Sequence, residues 1–183
     1  SSTTLQPYDL VLLSCEGSQH PETKPLSSLD AMKAYADLGG RIYAGHWHNY
    51  WIQSGPSPWS ALATWNFLPG LGATVATVLP SPPRSGVLAD WLFEVGATGT
   101  VGTVPLQDTK HTVTAVDESL VAKWIHEPTT TNGLPSVQYF SFTTPVEDLV
   151  ENRCGRVVFS DTHLNSGDTS SSALIAGPPK HRR

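Results

Sequence analysis

The sequence predicts one three-layer α/β domain built on an open, mostly parallel sheet. Short apolar runs, typical of buried strands, alternate along the chain with segments of helical periodicity. The first 45 residues contain a strand, a helix and a second strand, and their connection is long enough for a right-handed parallel crossover. At 183 residues the chain has the length of one domain with a substantial core.

Each element follows from its local pattern. Buried strands are predicted at 8–14, 41–45, 71–79, 137–142 and 156–160, and an extended segment at 101–116. Helices are predicted at 29–38, 85–95 and 117–125, with one helical turn at 146–151. The first helix has a capping pair in Ser27 and Asp30 and ends at a Gly-Gly pair. Trp91 and Trp124 are expected in the core, because they lie on the apolar faces of the later helices.

One domain, residues 1–164, accounts for all of these elements. Neither an internal repeat nor a linker divides it. Residues 165–183 form a Gly/Ser/Pro-rich tail where an α/β domain would usually place one more helix. This tail is therefore predicted to be clipped or disordered.

Charge and composition narrow the classes of partner. Eleven Lys and Arg against sixteen Asp and Glu give a net charge of −5, so no basic excess would attract nucleic acid. No apolar run approaches the roughly 18 residues of a membrane span. Charged residues make up only 15% of the chain, and Gly and Pro number fifteen each. This composition favours an extracellular or periplasmic protein over a cytoplasmic one, and it leaves the oligomeric state open.

Residues with useful chemistry follow three of the predicted strands. They are, in chain order, Cys15 and Glu16, His46 and His48, and Asp161 and His163. In an open parallel sheet, ligands bind at the carboxyl ends of the strands, near the point where strand order reverses. We therefore expect these side chains to form one site.

The same residues predict a divalent metal site, with zinc or calcium as the ion. His46 and His48 have the i, i+2 spacing that puts both rings on one face of a continuing strand. Asp161 and His163 would complete the ligand set, and the run 161–168 has oxygen ligands and a Gly turn suited to calcium. The alternative is that one histidine is exposed and the other hydrogen-bonded, as when the chain turns into a helix at His46.

A metal-free arrangement of these side chains is the other option. Asp161 would orient His163 as a general base. Cys15 would act as a nucleophile if His46 or His163 lowered its pKa. The alternatives are a polar strand terminus and a small buried thiol. Because the chain contains no Gly-x-Ser-x-Gly elbow, phosphate-binding loop or dinucleotide-binding Gly motif, no nucleotide cofactor is expected.

Aromatic side chains cluster in the loop after the second strand. They are Trp47, Tyr50, Trp51 and Trp59. Loop tryptophans either form an apolar or sugar-stacking rim over a site or plug the loop onto the core. Together with Glu16, these four are the predicted contacts for a small-molecule or carbohydrate substrate.

Two segments of the chain contain recognisable family motifs. The first reads Tyr-Asp-Leu-Val-Leu-Leu-Ser-Cys-Glu-Gly, and the second reads Tyr-Ala-Asp-Leu-Gly-Gly-Arg-Ile-Tyr-Ala-Gly-His. They resemble the class I glutamine amidotransferase-like superfamily, and its trehalose-utilisation (ThuA-like) branch in particular. The resemblance covers residues 8–50 and 154–164. It implies a flavodoxin-like sheet, a Gly-rich oxyanion loop after the first strand, a sharp elbow after the second, and a late strand carrying a His-x-Glu pair.

Two departures from the superfamily pattern bear on mechanism. The elbow position is His46, where glutaminases need Cys, and the late pair has the reversed order Asp161, His163. An imidazole cannot form the thioester of glutamine hydrolysis, so ammonia transfer from glutamine is not expected. The ThuA-like branch likewise carries His near the elbow and implies sugar-related chemistry, with or without a metal.

The sequence thus predicts a hydrolase-like enzyme. Its catalytic residues would be His46, His163, Asp161 and Cys15, and its substrate an ester, lactone, amide or sugar-derived compound. The alternative is a secreted, non-catalytic carbohydrate-binding or scaffold module that uses the loop tryptophans.

Overall fold

The computed structural model describes residues 2–14, 16–80, 84–130 and 132–162. Cys15, His163 and the tail at 165–183 lie outside these residues. The strands are β1 Leu10–Leu13, β2 Arg41–Ala44, β3 Ala63–Leu68, β4 Thr74–Val78, β5 Thr103–Leu106, β6 His111–Val116, β7 Val121–Glu127, β8 Ser136–Thr144 and β9 Gly155–Ser160. The helices are α1 Ser2–Leu5, α2 Leu26–Asp37, α3 Tyr50–Gln53 and α4 Ser85–Glu94, with 3-10 turns at Pro21–Thr23, His46–Asn49, Trp59–Ala61 and Val150–Asn152.

A seven-stranded mixed sheet forms the centre of the molecule, in the order β1-β2-β9-β8-β7-β4-β5. β1, β2 and β9 run parallel to one another, and the four remaining pairs are antiparallel. The predicted α/β class is confirmed, but the prediction of a mostly parallel sheet is wrong. β7 and β8 are joined directly by the loop 128–135, which is too short for a parallel crossover.

A second, two-stranded sheet of β3 and β6 packs with α2 on one face of the large sheet. β3 has no counterpart among the predicted strands. Its Trp65 meets the rings of Phe140 and Phe159 edge-on, at centroid distances of 6.3 and 5.7 Å. These rings belong to the larger apolar cluster, which therefore lies between the two sheets.

The helix α2 confirms the first predicted helix within three residues at each end. Its N-cap is Pro25 rather than Ser27, and no side chain caps it. Gly39, with φ +103°, follows its C-terminus and turns the chain toward β2, a conformation that favours glycine. Leu29, Met32, Tyr35 and Ala36 form its buried face.

The helix predicted at 117–125 is wrong, because this segment is a turn followed by β7. The main-chain N–H and the hydroxyl of Ser119 both donate to Oδ1 of Asp117, which closes the turn. The apolar positions that fit a helix also fit a strand with an irregularity, and the pairing of β7 with β8 shifts register between Lys123 and Ile125.

The second face of the large sheet is only partly covered. α4 confirms the predicted helix, and its Leu88 and Leu92 pack on a smaller apolar cluster beside β4. Trp91, expected in the core, is 57% exposed, and Trp124 is half-buried on β7. Leu12 of β1 is 68% exposed, so β1 is not the fully buried strand that its composition predicts. Within the described ranges, no helix is long and apolar enough to cross a membrane.

Candidate functional site

The carboxyl ends of β1, β2 and β9 meet at one edge of the sheet. The register pairs Leu13 with Ala44, and Ala44 with Phe159, so the three strands end side by side. Glu16, His46 and Asp161 follow these ends within three residues. Because Cys15 and His163 lie outside the described residues, their part in this cluster stays a prediction.

His46 and His48 belong to a 3-10 turn that begins directly after β2. Gly45 is extended, and the chain then turns at His46. A 3-10 helix has about three residues per turn, so side chains two residues apart point in different directions. The continuing strand that would align the two imidazoles is therefore absent. The chain turns at His46 as the alternative has it, but both histidines are buried, so the expected exposure of one of them is wrong.

His46 is buried, with 1% of its surface exposed. Its ring lies 5.5 Å from the ring of Trp47, centroid to centroid. Lys110, from the segment before β6, places its Nζ 5.1 Å from the centroid of the Trp47 ring. The turn after β2 thus brings an imidazole, an indole and an ammonium group together.

His48 is held by the loop after β1. Its Nε2 donates to the carbonyl oxygen of Ser14 at 2.6 Å. Its Nδ1 lies 3.1 Å from Oε1 of Glu16 but outside hydrogen-bond geometry. Burial lowers the pKa of His48, against the opposing effects of the Ser14 hydrogen bond and the Glu16 charge, so the ring is neutral at pH 7. Its role is to fasten the β1 loop to the β2 turn.

Lys24 supplies the positive charge that balances Glu16. Its Nζ lies 2.7 Å from Oε1 of Glu16, also donates to the carbonyl of Gln19, and only 4% of the side chain is exposed. The sequence analysis did not single out Lys24. It comes from an irregular loop, and no local pattern marks a lysine that folds back onto a residue eight positions earlier.

Three amide side chains extend this network. Nε2 of Gln19 donates to Oδ1 of Asn49 at 3.0 Å and to Oε1 of Gln53 at 3.2 Å, and Nδ2 of Asn49 donates to Oε1 of Gln53 at 3.0 Å. Asn49 is fully buried. These contacts tie the loop after β1 to α3, and they also were not predicted.

Asp161 is fully buried and turned toward the second sheet. Its Oδ2 accepts the main-chain N–H of Thr112 at 2.7 Å, and its Oδ1 accepts the Thr112 hydroxyl. Burial raises the pKa of Asp161 to about 6, although the Thr112 hydrogen bonds and the charge of Lys110 act in the opposite direction. Both carboxyl oxygens therefore serve a link between β9 and β6.

The aromatic residues of the loop divide between surface and core. Trp59 is 1% exposed and packs edge-on against Phe142 at 5.3 Å, so its predicted place in a substrate-binding rim is wrong. Trp51 is half-buried against the large cluster, with Nζ of Lys24 5.8 Å from its ring centroid. Trp47 and Tyr50 are half-buried and remain candidates for contact with a ligand.

Two described members of the predicted metal set already bind protein groups. Nε2 of His48 donates to the carbonyl oxygen of Ser14, and both oxygens of Asp161 bind Thr112. Among the residues that the structure describes, no group of three His, Cys, Asp or Glu side chains is placed to hold an ion. A metal centre at this edge stays a prediction that depends on His163 or Cys15, which lie outside the described residues.

The fold and this edge define an α/β protein with a polar cluster at the carboxyl ends of three parallel strands. No protein-family model matches the chain, and no curated protein sequence matches it. Among solved structures, the cytoplasmic protein STM3548 from Salmonella typhimurium is similar, with a TM-score of 0.49 and 12% sequence identity. The match covers 89% of this chain and 63% of that one, so the chain spans less than two thirds of that protein's length.

Proposed function

We propose that the protein is a hydrolase-like enzyme whose site lies at the carboxyl ends of β1, β2 and β9. The substrate class is an ester, lactone, amide or sugar-derived compound. The proposal includes a distant relationship to the ThuA-like branch of the class I glutamine amidotransferase-like superfamily, supported by the motifs of the first two strands and by His46 at the elbow.

One observation carries the proposal: Glu16, His46 and Asp161 follow the ends of three adjacent parallel strands. This edge is where open α/β sheets bind ligands. Contacts of Glu16 with Lys24 and His48 join the segment after β1 to the turn after β2, as a site that must position a reacting group requires.

His46 is the proposed general base. Its neutral imidazole takes a proton from water, and the hydroxide adds to the carbonyl carbon of the substrate. The imidazolium then returns the proton to the leaving oxygen or nitrogen as that bond to carbon breaks. Glu16, Lys24 and Asp161 are positioning residues, because their charged atoms bind protein groups. Trp47 and Tyr50 are the proposed substrate contacts, and no step requires a metal.

The loop tryptophans do not favour a carbohydrate-binding module. Trp59 belongs to the core and Trp51 packs against it, which leaves Trp47 alone of the three as a stacking surface. Binding sites of this type usually combine several aromatic faces with convergent polar groups.

The test is hydrolysis of a panel of chromogenic esters, lactones and amides, sugar-derived ones included, by the purified protein and its variants. We expect His46→Gln to lower kcat/KM by about 100-fold or more. His126→Gln is the control, since His126 lies on β7, two strands from β9. Circular dichroism and thermal unfolding check that both variants are folded.

A second readout is the pH profile of the wild-type protein. With a histidine base, kcat/KM falls toward acid pH, because the protonated imidazole cannot accept a proton from water. A wild-type protein inactive on the whole panel, or equal activity of the two variants, would exclude the proposed site.

A further inference from the structure

A groove lies on the open face of the large sheet, away from the carboxyl ends of the strands. Two adjoining cavities of about 390 and 220 Å³ form it, and both are lined by Trp124, Ser141 and Arg156. The first also contacts Arg84, at the start of α4, and the second contacts Leu88. We call this the arginine groove. The larger cavity lies within the range of about 300 to 1,000 Å³ that is common for small-molecule sites.

Positive charge is concentrated here in an otherwise acidic chain. The described residues include four arginines, and three of them lie on this face: Arg84 and Arg156 in the groove, and Arg41 beside Arg156 in the register of β2 and β9. Among the residues that the structure describes, no Asp or Glu lines either cavity. Within the described ranges, neither groove arginine has a carboxylate partner, so both guanidinium groups are available to an external anion.

The floor of the groove is built for an apolar, ring-shaped group. The irregularity between Lys123 and Ile125 leaves Trp124 as the extra residue of β7, and such irregularities redirect side chains. The indole N–H of Trp124 donates to the Ser141 hydroxyl at 2.9 Å, which fixes the ring and satisfies its polar atom. Tyr139 and Val158 complete the apolar lining beside it.

We propose that the arginine groove binds a small organic anion, a carboxylate or phosphate attached to an aromatic body. Guanidinium groups bind both kinds of anion through paired hydrogen bonds. The aromatic body would stack on Trp124, between Leu88 and Val158. This site is independent of the proposed hydrolytic site, and its ligand is a different molecule from the substrate.

The binding test uses phenyl phosphate and 3-phenylpropionate as probes, titrated into the full chain by calorimetry. Inorganic phosphate, acetate and the neutral 3-phenylpropanol are the comparison compounds. We expect the two aryl anions to bind more tightly than any comparison compound, and high salt to lower their affinity. The probe that binds more tightly identifies the class of anion.

Matched variants locate the site. Arg84→Gln and Arg156→Gln should each lower the affinity for the aryl anions by about tenfold or more. Arg153→Gln makes the same change of charge at an arginine that donates to the Asp148 carbonyl and lines neither cavity, so it should bind as wild type. In NMR spectra, the indole N–H signal of Trp124, identified by its loss in Trp124→Phe, should shift on titration. His46→Gln should leave binding unchanged.

Four results would overturn the proposal. They are the absence of aryl-anion binding at millimolar probe, equal weakening in Arg153→Gln, equal affinity for inorganic phosphate, and a wild-type dimer that Arg156→Gln dissociates. The last would show that a second copy covers this face.

Discussion

His46 and His48 are two residues apart, yet they have different roles because of where each side chain points. The 3-10 turn directs His48 toward Ser14 and Glu16, where its ring fastens the β1 loop. His46 remains next to Trp47 at the carboxyl end of β2. The His-x-His pattern alone is compatible with either outcome, because the spacing of side chains depends on the backbone that carries them.

Lys24 is the residue on which the contacts among Glu16, Lys24 and His48 depend most. Replacing it with Met leaves the Glu16 carboxylate, half-buried and close to His48, without its cation. We expect Lys24→Met to lower the free energy of unfolding by about 2 to 4 kcal/mol, since removing one partner of a buried ion pair leaves the other uncompensated. Urea denaturation followed by circular dichroism measures this change.

The control for that experiment is Lys123→Met. Lys123 also pairs with a glutamate, but its partner Glu118 is 67% exposed. Exposed pairs contribute about 0 to 1 kcal/mol, so this variant should be nearly as stable as wild type. Similar losses in the two variants would contradict the role assigned to Lys24.

At the scale of secondary-structure elements, Gly155 of β9 packs directly against the main chain of α2. A Cβ at this position would lie 1.9 Å from the carbonyl oxygen of Ala36 and 2.8 Å from Cγ2 of Thr144. The first of these atoms is main chain and cannot rotate away. The absence of a side chain at Gly155 therefore sets the distance between the helix and the sheet.

Gly155→Ala should accordingly cost at least about 2 to 3 kcal/mol of folding stability, as for overpacked cores. Gly86→Ala is the matched variant, because Gly86 lies in α4 and a Cβ there meets no atom within 4 Å. That change should stabilise the protein by up to about 1 kcal/mol through helix propensity. Thermal unfolding of both variants gives the comparison, and a neutral Gly155→Ala would show that α2 lies further from β9.

The predicted elements succeed where one local pattern dominates. α2 and α4 have apolar faces with helical periodicity, and β2, β8 and β9 are dense in residues that favour strands. The prediction for the segment that forms β7 is wrong because its apolar spacing fits both a helix and an irregular strand. Pairing with β8 and β4 decides between them. Propensity over so few residues is weaker than a ladder of main-chain hydrogen bonds.

For the molecule as a whole, Asp161 joins the two sheets. Its carboxyl group binds Thr112 of β6, and its main-chain oxygen accepts the N–H of Lys110 at 3.1 Å. The link spans 49 positions of the chain. Since the group is fully buried, its protonation is coupled to the stability of the complete fold.

This coupling predicts a pH dependence of stability. The pKa of Asp161 is raised from 3.8 to about 6 in the folded state, so the contribution of the protonated acid is fully present below pH 4 and is lost as pH rises through 6. The corresponding loss is about 3 kcal/mol. Asp161→Asn mimics the protonated acid, with its amide oxygen accepting the Thr112 N–H and its amide nitrogen donating to the Thr112 hydroxyl.

Urea denaturation of both proteins at several pH values between 4 and 7 tests this expectation. The wild type should lose stability relative to Asp161→Asn across this interval. A difference that stays constant with pH would mean that the carboxyl group titrates normally in the fold.

Local pattern was sufficient to predict the strand–helix–strand beginning of the chain and the polar residues that follow β1, β2 and β9. Periodicity and turn residues act over about ten neighbouring positions, and each of these elements is specified within such a window. Contacts between distant segments set the rest: the antiparallel half of the sheet, the pairing of Lys24 with Glu16, the link from Asp161 to Thr112, and the groove between α4 and the open sheet face. Their energies depend on which side chains folding brings together and removes from water, which no short window of the sequence contains.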